Sequence, residues 1–515
     1  MRLHRLATLL VAACMLAAPA EGGAVPAQTG AQDVLRDLID VPGAAEAHTP
    51  APLNRGVAFR YSVPSTQAPS SVLIFVPGLN SGPNTADILA RTLVASQGPA
   101  LQVWVVAVRS TLIQDRRGVD AALAYRHPDF ALGYYYGTLE IDGHTFHRLK
   151  GPEVPYMAYW GLDVHLRDIR AIVREVHSRY PAARVVLGGH SLGGILAAAY
   201  AGYDFAQIPG ASRAVPPPPA DVGGGDLDGL LFLDGLPVRI PLRVTPDRYL
   251  HGFGVPILGH IPGVEALTNP DPKKREAPFT QTSKLARTED SILLDVVSVY
   301  ALLRPEAASY FPFFPRRGLK ITNDALAAAI FSDQMQPDAL VRAGVELPLG
   351  VFDRVSDPAY VNRRGLLDLQ SGQPAPGEPL IRLPRDPDPR PRVPIRTLLE
   401  AILQPGGDFT VWYFPWRLVL DVALVAAIDP HDQFARRYAS LTHIGDTRLP
   451  MLIVGAGHGL VRSSGATEYY RQLVATPPGQ VTVKIFPDYS HLDIEDADPN
   501  PVVPMILAWL RTVVH

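Results

Sequence analysis

The chain has 515 residues, of which 47% are hydrophobic and 19% charged, with 51 prolines and 43 glycines. That balance excludes a disordered or collagen-like chain and leaves a globular, loop-rich protein, long enough for several domains or for one α/β core with a large insertion. Lys and Arg number 47 against 50 Asp and Glu, a formal net charge of −3 without a basic run, which excludes the electrostatic footprint of a nucleic-acid binder.

Residues 1–20 begin with Arg2, His4 and Arg5, continue through an apolar stretch and close on Ala18-Pro19-Ala20 before Glu21. This is the pattern of a secretory signal cleaved after Ala20, and it predicts a secreted or periplasmic protein. Val11-Ala12-Ala13-Cys14 also fits a lipoprotein box, but the apolar run goes on through Met15 and Leu16, where a lipidated terminus turns polar. Cys14 is the one cysteine, so the mature chain is expected to have no disulfide, no thiolate metal site and no cysteine nucleophile. Residues 21–50 are small, polar and proline-containing and read as an exposed leader.

Short apolar runs closed by Gly or Pro predict buried strands at residues 72–76, 101–108, 184–187, 230–233, 451–454 and 481–486. Leu162, Leu166, Ile169, Val173 and Val176 recur at helical spacing before Pro181, and residues 506–510 suit a C-terminal helix. Strand and helix alternate, which predicts a mostly parallel, doubly wound α/β sheet. The alternation lapses from Gly235 to Arg448. The expected organisation is therefore a core of residues 51–235 and 449–515, interrupted by a mainly helical lid of residues 236–448.

Within that insertion Ile292, Leu293, Val296, Val297, Tyr300 and Leu303 share a helical face, and residues 310–314 and 411–414 are aromatic clusters. Either these pack the insertion's own core or they form an apolar, acyl-binding wall. The Pro-rich residues 215–220 and 385–393 read as extended loops. No stretch makes a good membrane span: the best, residues 409–428, contains Pro415, Arg417 and Asp421, and each central charge costs about 2.5–3.5 kcal/mol to insert.

The chemistry is concentrated in RVVLGGHSLGG, residues 184–194, where a strand runs through Gly189-His190-Ser191-Leu192-Gly193 into a small-residue helix. G-x-S-x-G in this strand–turn–helix setting puts a serine on a sharp turn that only glycine neighbours allow, above the sheet, at a helix N-terminus that favours developing negative charge. Ser191 is the expected nucleophile.

Here the sequence resembles the α/β-hydrolase superfamily, over roughly residues 50–235 and 446–515. The resemblance implies an α/β-hydrolase fold with the lid inserted after the sixth strand. It matches Val76-Pro77-Gly78-Leu79-Asn80 to the family's oxyanion loop, with Pro77 where many members carry histidine, and so implies the backbone N–H groups of Leu79 and Leu192 as the oxyanion hole. The family's base follows the last strand, which here leads into Pro487-Asp488-Tyr489-Ser490-His491, so His491 is the expected general base. Residues 104–117 also look like members of the superfamily but receive no catalytic role.

The triad acid departs from the pattern. Most members carry it after the strand at residues 451–454, where this chain reads Gly455-Ala456-Gly457-His458-Gly459. Some members place it one strand earlier, which implies Asp234 in Leu233-Asp234-Gly235; Asp493, Asp488 and Glu468 are the other candidates, and a plain turn residue before Gly235 is the non-catalytic reading of Asp234.

The resemblance implies a secreted serine hydrolase, esterase- or lipase-like, that cleaves small-molecule or polymeric esters of apolar character without metal or organic cofactor. An acyltransferase would use the same triad, and a non-catalytic binding module on a degenerate hydrolase fold is the reading that the missing acid suggests. A serine in place of the nucleophilic aspartate disfavours dehalogenation.

Overall fold

The computed structural model describes residues 33–207, 219–237, 244–255, 259–280, 287–311, 321–333, 341–345, 391–426 and 438–514. The signal-like segment with Cys14, residues 215–218 and 385–390 of the Pro-rich loops, and residues 312–314 lie outside them.

Eight strands build one sheet: β1 (Leu35–Pro42), β2 (Arg55–Ser62), β3 (Ser71–Val76), β4 (Leu101–Ala107), β5 (Arg184–His190), β6 (Gly229–Leu233), β7 (Met451–Ala456) and β8 (Val481–Phe486). Their order is β1-β2-β4-β3-β5-β6-β7-β8. All pairs from β4 to β8 are parallel, while β1–β2 and β2–β4 are antiparallel.

Side chains alternate between two apolar layers, as the pleat requires. On one face, α1 (Asp87–Gln97) and the C-terminal helix, through Leu89, Leu93, Val502 and Ile506, cover Leu73, Phe75, Val186, Leu231 and Leu452. On the other, α2 (Leu162–Arg179), α3 (Leu192–Gly202) and α4 (Trp416–Ala426) cover Val72, Ile74, Val185, Leu187, Leu230 and Ile453. Helices on both faces of a mostly parallel sheet, with a serine on the strand-to-helix turn after β5, make this the α/β-hydrolase fold. β6 is the sixth sheet strand in chain order, and a long segment separates it from β7.

All six apolar runs are strands, but two strands have no such signal. Residues 21–50 are not simply an exposed leader, because β1 pairs with β2 from Leu35↔Ser62 to Pro42↔Arg55. As an edge strand β1 buries only Ile39 and Val41, so its sequence, LRDLIDVP, carries the period-2 pattern over just four residues. Arg109 ties this edge down: its buried guanidinium bonds both Asp168 oxygens at 2.6 and 2.7 Å, the Ala44 carbonyl and Asn54. The 104–117 segment thus holds a structural ion pair.

The chain divides into two compact units. Among the described residues, those of Asp115–Arg148 and Asp290–Pro405 form one; those of Gln32–Gln114, Leu149–Glu289 and Gly406–His515, with the sheet, form the other. The boundaries differ from the sequence reading at both sides of residues 236–448. Residues beyond 405 join the sheet unit because Thr410 bridges to Ser81, Pro415 to Phe279, and α4 packs on the core. Residues 115–148 join the other unit, where the Tyr300 hydroxyl donates to Asp129 and Tyr134 to Asp115.

The aromatic run at residues 411–414 is core. Val411, Trp412, Tyr413 and Phe414 are all buried. The candidate span at 409–428 is largely α4, whose Asp421 pairs with Arg417 and accepts hydrogen bonds from the Leu162 amide and the Tyr249 hydroxyl. Among the described residues no helix is long and apolar enough to cross a membrane.

Candidate active site

The apolar strand β5 delivers Ser191 to the carboxyl edge of the sheet, where ligands of open α/β sheets bind. Ser191 has φ 55° and ψ −122°, a strained conformation that costs about 1–3 kcal/mol and persists only where its surroundings enforce it. The enforcement is visible: the Ser191 amide donates to the Leu233 carbonyl at 2.9 Å, and its carbonyl accepts from Gly194 at 3.1 Å. A Cβ at Gly193 would stand 1.9 Å from the Val76 carbonyl oxygen, so glycine alone lets α3 start against the end of β3. Ser191 is 6% exposed.

The loop after β3 runs beside it. A Cβ at Gly78 would lie 3.0 Å from Ser191 Cβ and 3.5 Å from its Oγ, which sets the Gly78 backbone against the serine. Leu192 opens α3, where first-turn N–H groups have no intrahelical acceptor.

Asp234 ends β6 with φ 43° and is fully buried. Its Oδ2 is 2.6 Å from His491 Nδ1. Three backbone amides complete its shell: Ala456 at 3.0 Å and Val461 at 2.8 Å donate to Oδ1, and Leu460 at 2.9 Å donates to Oδ2. Burial alone would raise the carboxyl pKa, but the His491 hydrogen bond and charge, with the amides, hold it below the usual carboxylate value.

His491 follows β8 and is 2% exposed. Burial and then the neighbouring His190 pull its pKa below the ordinary imidazole value, against the opposite pull of Asp234. With Nδ1 engaged by Asp234, Nε2 is the nitrogen left for Ser191.

The structure therefore brings Asp234 to His491. It gives the other acid candidates different partners or none nearby: Asp493 accepts from the Ser490 amide at 2.7 Å, and Asp488 and Glu468 are exposed. The glycine-rich loop after β7, which carries no carboxylate, wraps Asp234 at the end of the neighbouring strand instead. A Cβ at Gly459 would stand 1.9 Å from Asp234 Oδ2.

Sequence reasoning missed the amides of Ala456, Leu460 and Val461, which no side-chain type announces. It also gave nothing to His190 and Glu495; His190 stands inside the G-x-S-x-G motif, the one signal that could have drawn notice.

No family model and no curated protein matches the chain. Among solved structures it is similar to a Sulfolobus solfataricus protein described as a candidate lipase, at 13% identity and TM-score 0.46 over 93% of this chain and 94% of that one. It is also similar to a peroxisomal α/β-hydrolase of Saccharomyces cerevisiae (9% identity, TM-score 0.37, 93% and 89% covered). A thermostable carboxyl esterase of Bacillus coagulans aligns at 10% identity and TM-score 0.33, with 93% and 99% covered.

Proposed function

We propose that this chain, an α/β-hydrolase by fold, is an exported serine hydrolase that cleaves carboxylic esters of apolar substrates through an acyl-Ser191 intermediate. The observation that carries the reading is the buried His491–Asp234 pair, 2.6 Å between Nδ1 and Oδ2, at the same sheet edge as a strained Ser191. A merely structural serine has no need of either.

In this mechanism Ser191 Oγ attacks the ester carbonyl carbon while His491 Nε2 takes its proton. The carbonyl oxygen becomes an oxyanion and receives hydrogen bonds from the amides of Leu79 and Leu192. The C–O bond breaks as His491 returns the proton to the departing alcohol, leaving the acyl ester on Ser191. Water then attacks that ester with His491 again as base, and the acid leaves. Asp234 stays ionised throughout: it fixes the imidazole by accepting from Nδ1–H and stabilises the imidazolium of each transition state. Export rests on the signal-like residues 1–20, and N-terminal sequencing of exported protein should then begin at Glu21.

The deciding experiment is hydrolysis of p-nitrophenyl esters from acetate to palmitate, with fluorophosphonate labelling in parallel. The expected result is chain-length-dependent turnover and labelling, both abolished in Ser191→Ala. A wild-type protein that turns over no ester and takes no label would overturn the reading in favour of a binding module, and a flat chain-length profile would remove the apolar acyl site.

A further inference from the structure

Behind the Asp234–His491 pair lies a second histidine–carboxylate pair. The ring of His190, the last residue of β5, stands 4.2 Å from that of His491, centroid to centroid. Its Nε2 is 3.0 Å from the main-chain carbonyl oxygen of His491, and its Nδ1 is 2.9 Å from Glu495 Oε2, with both side chains at most 3% exposed.

These partners place one proton on Nε2 and another between Nδ1 and Glu495. A carbonyl oxygen only accepts, so Nε2 carries a hydrogen. Nδ1 then faces a carboxylate oxygen, and two lone pairs at that distance repel unless a proton lies between them. Neither Glu495 oxygen has an aligned hydrogen-bond partner among the described residues, and the 2.9 Å approach of His190 Nδ1 is the ion-pair contact it makes. No proton passes between the two rings, because His190 bonds the His491 carbonyl and not its nitrogens.

We infer that His190 is a positioning residue for the catalytic histidine: paired with Glu495 as an imidazolium, it holds the His491 loop by the main-chain carbonyl and keeps the His491 ring neutral, and able to accept a proton, at mildly acidic pH. The inference rests on reading His491 as the base.

The charged groups around the two rings agree with it. Glu495 and Asp234 face both; beyond Glu495 stand Asp493, Asp496 and Asp87, the last paired with Arg91 at 2.8 Å and 3.9 Å from Arg36. Burial lowers the His190 pKa, but the charge and contact of Glu495, with Asp234 and the carbonyl bond, turn the net shift upward. Burial and then Glu495, Asp493 and Asp87 push the Asp496 carboxyl well above its ordinary value.

Two measurements test this. His190→Gln removes the charge and keeps a donor for the carbonyl: the acidic limb of kcat/KM should move to higher pH by about one unit, the scale of a unit charge some 4 Å away. His190→Ala also loses the donor, and its plateau kcat should fall by a further tenfold or so as the base is misplaced. An active His190→Gln enzyme with an unmoved limb would overturn the inference. The second measurement is imidazole nitrogen NMR of wild-type protein labelled with 15N-histidine. Both nitrogens of His190 should be protonated at pH 7, and the His491 midpoint should rise in His190→Gln; a singly protonated His190 refutes the pair, whether or not the variant folds. Because NMR needs no turnover, a protein inert on esters would sink the hydrolase reading while this test still returned its answer.

Discussion

β6 and β7 lie side by side and end at the same sheet edge, yet they end in opposite ways. β6 finishes on a carboxylate, Asp234, in a left-handed backbone conformation. β7 finishes on Gly455-Ala456-Gly457-His458-Gly459, with no acid, and turns its amides onto the acid next door. The difference teaches that what a histidine needs is an ionised carboxylate at one point in space, and the strand that supplies it matters less. Moving the acid by one strand requires a loop that solvates it. Three amide donors and a residue without Cβ at position 459 meet that requirement.

The sharpest way to break this comparison is to neutralise the acid. Asp234→Asn should lower kcat by about 10⁴-fold, since the amide cannot hold the imidazole tautomer or stabilise the imidazolium. It also turns an NH2 group toward amide donors, so a drop in Tm should accompany the loss. If activity on p-nitrophenyl esters survives, the acid lies elsewhere.

The converse test alters β7 alone. Gly459→Ala leaves every side chain of the triad intact and places a methyl 1.9 Å from Asp234 Oδ2. Loop and carboxylate must part, and a misplacement near 1 Å costs about 10²-fold in kcat. Steady-state kinetics of a folded Gly459→Ala protein with wild-type kcat would show that the loop merely covers Asp234.

Much of this was legible in the sequence. The apolar runs marked six strands, five of them buried as expected, while β8 is the sheet's other edge and buries none of its residues; the glycines of G-x-S-x-G marked the turn, because buried parallel strands and tight turns leave one-dimensional marks. β1 did not, since an edge strand with a wet face mixes charges into its pattern, as Arg36 and Asp37 do; β2, paired on both sides, is mostly buried, but Arg55, Gly56 and Arg60 break up its apolar run. Asp234 and His491 could be named as candidates, but not their contact, which joins residues 257 apart in sequence. The His190–Glu495 contact was hidden for the same reason, and the glycines after β7 read as a missing acid because their use is the absence of a side chain.

Acidity probes the comparison more gently. The depressed His491 pKa means the neutral ring is favoured on folding; its contribution to stability is present above the ordinary value near 6.5 and is lost as pH falls through the lower folded value. Asp234, also depressed, contributes above the ordinary carboxylate range and loses that contribution at lower pH still. His190 runs the other way: its raised pKa contributes below about 6.5 and fades as pH rises through the folded value. The acidic limb of wild-type kcat/KM should therefore have its midpoint below 6.5, falling about tenfold per unit beneath it. A midpoint above that value would mean that Asp234 outweighs burial and His190 together.

The smallest effect should come from Asp493, the carboxylate nearest to His491 in sequence among the alternatives. Its bond to the Ser490 amide, 2.7 Å long and buried, braces the turn that carries His491. Asp493→Asn keeps an oxygen for that amide and loses the charge, so the cost is about 1–2 kcal/mol of stability and a kcat change of roughly tenfold or less, carried by looser placement of the base. Side by side, Asp234→Asn and Asp493→Asn separate a carboxylate that acts on the imidazole from one that only shapes its loop. If the two losses in kcat were equal, neither strand end could claim the acid.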